Sequence, residues 1–95
     1  MSEWTFLTNH ALVLSHLAKN SRMTAREVSL SIGITERAVR RIIADLDAAG
    51  YIRKSREGRG IRYAICQHLM LRHRSHEQVP IGDFLEALGW KRYRH

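Results

Sequence analysis

A mainly α-helical fold with one small β-hairpin is what this sequence predicts, and three observations carry the prediction. Two capped helical segments lie between Thr24 and Gly50, separated only by Gly33-Ile34-Thr35. After Gly50 the apolar pattern changes from a helical period to a period of two, as in a half-buried strand. Gly58 and Gly60 then mark the tip of a hairpin, where positive backbone φ is needed.

The first element is a helix from about Thr8 to Lys19. Ala11, Leu12, Ser15 and Ala18 run along one side of it, with Leu14 and Leu17 nearby, and Trp4, Phe6 and Leu7 form an apolar lead-in. The second helix opens at Thr24. Glu27 stands three residues on, so hydroxyl and carboxylate can satisfy each other's orphan backbone donors in a capping box. Ala25, Val28 and Ile32 follow at helical spacing, and Gly33 supplies the left-handed stop. Thr35 caps the third helix, Glu36 sits favourably in its first turn, and the run continues to Ala49 before Gly50. Two helices joined by so short a glycine turn cross steeply, which is helix-turn-helix geometry.

Ala38, Val39, Ile42, Leu46 and Ala49 share one face of that third helix, with Ile43 at its margin. At about 100° per residue, Arg37, Arg40 and Ala44 lie opposite, flanked by Glu36, Asp47 and Arg41. The second helix of a DNA-binding helix-turn-helix enters the major groove with its N-terminal residues at the base edges. Arg37 and Arg40 are therefore the candidates for bidentate contact with guanine O6 and N7. Thr35 is placed to meet a phosphate. Glu36 is placed either to accept from cytosine or to hold Arg40. The competing reading is a solvated helix face, since Glu36–Arg40 and Arg41–Asp45 are both spaced for local ion pairs worth only about 0.2–0.5 kcal/mol each.

Downstream, Tyr51–Arg56 reads as one strand, residues 57–60 as the turn, and Ile61–Ile65 as the return strand. Ile61, Tyr63 and Ile65 alternate with Arg62 and Ala64. Arg53, Lys54, Arg56, Arg59 and Arg62 crowd this hairpin against a single Glu57. Such a wing can lie on the phosphate backbone, with Arg59 reaching a minor groove. It can equally be an edge hairpin kept soluble by its cations.

The run Gly33-Ile34-Thr35-Glu36-Arg37-Ala38-Val39-Arg40-Arg41-Ile42, with Leu46, Gly50-Tyr51-Ile52, Gly58-Arg59 and Tyr63, resembles the winged helix-turn-helix transcriptional regulators of the MarR-like and ArsR-like kind. The likeness covers Trp4 to Ile65 and implies a prokaryotic, sequence-specific binder of double-stranded DNA. Such regulators often carry an effector pocket between longer terminal helices. This chain departs from that pattern by being short at both ends, so the likeness leaves a small-molecule effector unidentified and transfers no residue to its site.

Composition agrees. The formal net charge is +7, and residues 35–62 hold eight Lys/Arg against four Asp/Glu. Clustered basic charge is the electrostatic footprint of a nucleic-acid binder. The apolar runs are too short to span a bilayer, no signal peptide precedes the first helix, and the lone Cys66 excludes an internal disulfide, so a cytoplasmic setting is expected. The chain divides into a DNA-binding domain, residues 1–65, and a C-terminal extension, residues 66–95. In the extension Pro80 suits a first helical turn, and Ile81, Phe84, Leu85 and Leu88 follow an amphipathic pattern up to Gly89. A basic aromatic tail, Trp90 to His95, follows. This helix either closes its own core or joins the first helix in a two-fold dimer on a palindromic operator.

Between the two parts, Cys66, His68, His73 and His76 raise the question of a metal site. His68 and His73 are five apart, off helical and finger spacing, and Arg72 and Arg74 oppose a divalent ion. No metal, no cofactor and no redox role for Cys66 are therefore expected. Asp45, Asp47 and Glu36 share one helix without a positioned His, and no glycine loop cradles a phosphate, so the chain is not expected to be an enzyme. The alternative function is a protein-interaction module whose arginine face meets an acidic partner.

Overall fold

The computed structural model describes residues 4–91. Thr8 caps the first helix, α1 (Asn9–Lys19), by accepting from the Ala11 N–H at 3.1 Å. Helix α2 (Ala25–Ile32) has the full capping box: Thr24 N–H donates to Glu27 Oε1 at 2.9 Å, and Glu27 N–H donates to Thr24 Oγ1 at 3.1 Å. Gly33 ends it at φ 78°, a left-handed conformation that a Cβ would strain although nothing crowds the site. Thr35 then caps α3 (Glu36–Ala48). The strands β1 (Ile52–Glu57) and β2 (Gly60–Ile65) form one antiparallel hairpin, and after a single 3-10 turn at Arg74–His76 comes α4 (Ile81–Ala87). The fold is mainly α with a small β-hairpin wing, as the sequence predicts.

The core gathers one stripe from each helix. Val13, Leu14 and Leu17 of α1 meet Ala25 and Val28 of α2 and Val39, Ile42, Ile43 and Leu46 of α3; Tyr51, Ile52 and Tyr63 close it from the hairpin root. The α1 stripe is rotated from the expected one: Ser15 is buried as read, and Leu14 and Leu17, expected beside it, lie at its centre with Val13. Ala11, Leu12 and Ala18 are only half-buried, because rolling Val13, Leu14 and Leu17 inward removes more apolar surface from water. Ala49 is also exposed: it is the C-cap of α3 and has left the helical face. The apolar lead-in does not join the core either. Trp4 is 68% exposed and Phe6 91% exposed, their rings meeting edge-on at 4.9 Å.

The hairpin turn is tighter than expected. Glu57 pairs with Gly60, leaving the two-residue loop Gly58-Arg59. Gly58 alone takes positive φ, at 62°, which is the type II′ pattern whose twist matches the flanking strands. Gly60 takes an ordinary strand position. Ile61 is exposed, because the outer half of the hairpin projects beyond the core.

Residues 66–80 form a closed strap. Met70 bridges Pro80, Leu71 N–H donates to Val79 O at 2.9 Å, Gly82 N–H donates to Gln67 O at 2.9 Å, and Tyr51 Oη donates to Met70 O. Those bonds deliver α4 to the core, where Ile81 and Leu85 are buried with the helices. Pro80 stands at the N-cap of α4, one place before the first turn it was expected to occupy. Of the basic aromatic tail, Arg92, Tyr93, Arg94 and His95 lie outside the described residues.

Two outcomes follow. Leu85→Ala should lower the unfolding free energy by about 2–5 kcal/mol, since a fully buried leucine leaves a cavity. Urea titration of the helical circular dichroism should show one transition at a lower midpoint; an unchanged midpoint would mean that α4 shares no core with α1–α3. The second concerns pH. The Thr24 backbone N–H, helped by the Thr24 hydroxyl, holds the Glu27 carboxyl below its ordinary 4.5. The unfolded chain therefore takes up this proton first, and the stabilisation is complete above 4.5 and lost as pH falls through the folded value. Glu27→Gln keeps an acceptor oxygen without titrating, so its acid-unfolding curve should start lower and fall less steeply than that of the native chain.

Candidate nucleic-acid interface

Burial of Val39, Ile42, Ile43 and Leu46 fixes the roll of α3, and with it the direction of every other side chain on that helix. Arg37, Arg40 and Arg41 are exposed on the opposite side. Thr35 Oγ1 accepts the Ala38 N–H at 3.1 Å, leaving its own hydroxyl proton free to donate outward. Glu36 takes Arg40: both Nε, at 3.1 Å, and Nη2 donate to the single oxygen Oε2. The other local pair does not form. Asp45 Oδ2 instead meets His10 Nε2 of α1 at 2.9 Å, and Arg41 forms no ion pair among the described residues.

The register of the hairpin sorts its cations onto two faces. Lys54 is opposite Tyr63 and Arg56 opposite Ile61, on the face that enters the core at the root. Arg53, opposite Ala64, and Arg62, opposite Ser55, are on the other face. Lys54 Nζ lies 3.9 Å from Asp47 Oδ2 of α3. Burial pushes the Tyr63 phenol above its ordinary range, the Arg40 guanidinium opposes that rise and the Asp47 carboxylate adds to it. The Lys54–Asp47 approach sets the hairpin against α3, and Arg40 and Asp47 of that helix are near enough to act on the Tyr63 phenol. Arg59 is at the tip, beside Gly58.

A third segment joins this surface. Tyr63 N–H donates to Ser21 O at 2.8 Å, and Arg22 pairs with Glu57, which also stands 3.9 Å from Arg62. Arg22 and Glu57 are 35 residues apart, so no local spacing could reveal their link. Among the described residues, Arg37, Arg41, Arg53, Arg56 and Arg59 have no ion pair or side-chain hydrogen bond. Unneutralised guanidinium groups on one helix and an adjoining hairpin are what a polyanion can engage without first breaking internal pairs.

Two histidines of the strap, His73 and His76, are engaged locally. His73 Nδ1 accepts the Ser75 N–H at 3.0 Å and so caps the 3-10 turn, with the His76 ring 5.8 Å away. Among the described residues no group of three or more His, Cys, Asp or Glu side chains is placed to hold a metal ion. No helix there is long and apolar enough to cross a membrane. An open cleft of about 480 Å³ is lined by residues that include Phe6, Leu14, Leu46, Tyr51, Leu71, Arg72 and Phe84.

Residues 8–53, from the cap of α1 to the start of β1, match the family of winged helix-turn-helix DNA-binding domains. No curated protein matches the chain. Helix-turn-helix and hairpin together have the winged helix-turn-helix arrangement, a kind of domain able to bind DNA or protein through its helices and wing.

Proposed function

We propose that this protein is a sequence-specific transcriptional regulator of double-stranded DNA, related to MarR-like and ArsR-like proteins and acting as a homodimer on a palindromic operator. The observation that supports it best is the set of partnerless arginines, Arg37 and Arg41 on α3 and Arg53, Arg56 and Arg59 on the wing, along contiguous elements. In this reading α3 lies in the major groove. Arg37 and Arg40 read guanine, Thr35 and Arg41 hold phosphates, and Arg53, Lys54, Arg56 and Arg62 follow the backbone while Arg59 reaches a minor groove. Residues 1–65 are the DNA-binding unit. Residues 66–95 are the C-terminal extension, in which the strap and α4 close the core and flank the dimer contact.

Exposed Trp4 and Phe6 support the dimer, since a second copy over this edge removes two aromatic rings from water. A two-fold pair places its half-sites about one helical turn of DNA apart. A small-molecule effector would find its site in the cleft beside Phe6, where Leu46 connects it to α3. A cytoplasmic setting belongs to the same reading.

Fluorescence anisotropy at near-physiological salt, with the gene's own upstream region against a shuffled duplex, tests the core of the proposal. Tight binding to the native duplex with two chains per site is expected. Weak and equal binding to both would point to an acidic protein partner for the arginine face. Arg37→Ala should cost about 1–3 kcal/mol on the cognate duplex and relax its base preference. Arg59→Ala should weaken cognate and random duplexes alike and reduce the slope of log affinity against log salt by about one. For the dimer, light scattering after size exclusion should give twice the chain mass, and Trp4→Glu with Phe6→Glu should give one. A double variant that stays dimeric puts the contact elsewhere.

A further inference from the structure

We infer that Glu36 sets the base preference of Arg40 by occupying one edge of its guanidinium, and that the carboxylate itself touches no base. The inference rests on the groove docking of α3 proposed above. A guanidinium carries five N–H groups in one plane. Here Nε–H and one N–H of Nη2 are both directed at Glu36 Oε2, four residues back along α3. What remains is the far end of the group, where Nη1 and Nη2 each hold a parallel N–H. Guanine presents two acceptors, O6 and N7, at matching separation in the major groove, whereas adenine offers N7 beside an amino donor. The held arginine therefore offers the guanine-complementary edge, with its orientation already fixed.

The contrast with Arg37 sharpens the point. It lies one turn nearer the N-terminus on the same exposed side, yet has no partner among the described residues. A free arginine can turn either edge to a base or swing to a phosphate. A braced one loses less freedom on binding and has fewer alternatives. The brace also carries charge. A carboxylate in the first turn of α3 is favourable for the helix itself but repels phosphates wherever the protein sits out of register. Glu36 thus raises selectivity in two ways, by aiming Arg40 and by weakening attachment to unrelated DNA. Neither effect requires Glu36 to reach cytosine.

Selection from a randomised duplex library with the full chain tests this, using the native protein, Glu36→Ala and Arg40→Lys. The native chain should enrich a motif with guanine at one position that depends on Arg40. Glu36→Ala should lower the preference for guanine at that position by about fivefold or more, leave the other positions unchanged, and bind random duplex more tightly. Arg40→Lys should lose the same preference, and combining the two substitutions should add little. Circular dichroism should match the native spectrum throughout, since both side chains are exposed and their pair does not support the core. Full guanine preference in Glu36→Ala would overturn the brace while leaving the groove reading intact. Loss of a cytosine preference instead would make Glu36 a direct reader and also overturn it. A native chain that enriches no motif removes the groove reading and the brace with it.

Discussion

The burial of one stripe of α3 is the constraint on which the rest of this structure depends. Val39, Ile42, Ile43 and Leu46 can leave water only by facing α1 and α2, and Gly33-Ile34-Thr35 allows only a steep approach. The short turn gives the chain one left-handed residue and one capping residue with which to change direction. Once the stripe is placed, the helix cannot roll without exposing it, and the positions of Arg37, Arg40 and Arg41 on the outer side follow. Their presentation is therefore a consequence of packing. No contact made by the arginines themselves is needed to hold the helix in that orientation.

The wing inherits its position from the same core but only at its root. Ile52 and Tyr63 are buried with the helices, and Tyr63 N–H is fixed to Ser21 O between α1 and α2. Beyond them the hairpin has no apolar face to bury; Ile61 is exposed and Arg56 stands opposite it. The tip is held by backbone pairing and by the type II′ geometry at Gly58. A hairpin anchored at one end and hydrogen-bonded to itself at the other can adjust its tip at little cost to the fold. The strap and α4 play the opposite part. They close the core from the far side, stitched by backbone bonds from Leu71, Ile81 and Gly82.

What was legible in the sequence is what local chemistry determines. Thr24 with Glu27, Gly33, Thr35, and Gly58 each act within a few residues, and each is found where its chemistry placed it. The phase of α1 was not legible. Alanine, leucine and valine occur all around that helix, so periodicity pointed to the side of Ala11, Leu12, Ser15 and Ala18, whereas the volume of Val13, Leu14 and Leu17 decides the buried face. Gly58 and Gly60 look alike in the sequence, and only the register, with Glu57 opposite Gly60, shows that Gly58 alone makes the turn. The cross-chain pairs were beyond reach for a different reason. Asp45 is spaced for Arg41 but is taken by His10, and Arg22 meets Glu57 only because the core brings the loop before α2 against the wing.

Those pairs explain how a surface with four carboxylates stays so basic. In residues 35–62 each acidic side chain has a specific partner: Glu36 with Arg40, Asp45 with His10, Asp47 with Lys54, and Glu57 with Arg22 and Arg62. Exposed pairs of this kind contribute only about 0–1 kcal/mol each, so they are a poor account of stability. Their positions are more informative than their energies. Asp45 ties α3 to α1, Asp47 ties it to β1, and Glu57 ties the wing to the loop before α2. Three of the four carboxylates thus link separate elements, and the fourth orients an arginine within its own helix. Had the same carboxylates paired with Arg41, Arg53 or Arg56, the net charge of the chain would be identical and the surface much less able to hold an anion. The placement of the acids, as much as the number of arginines, leaves this face electropositive.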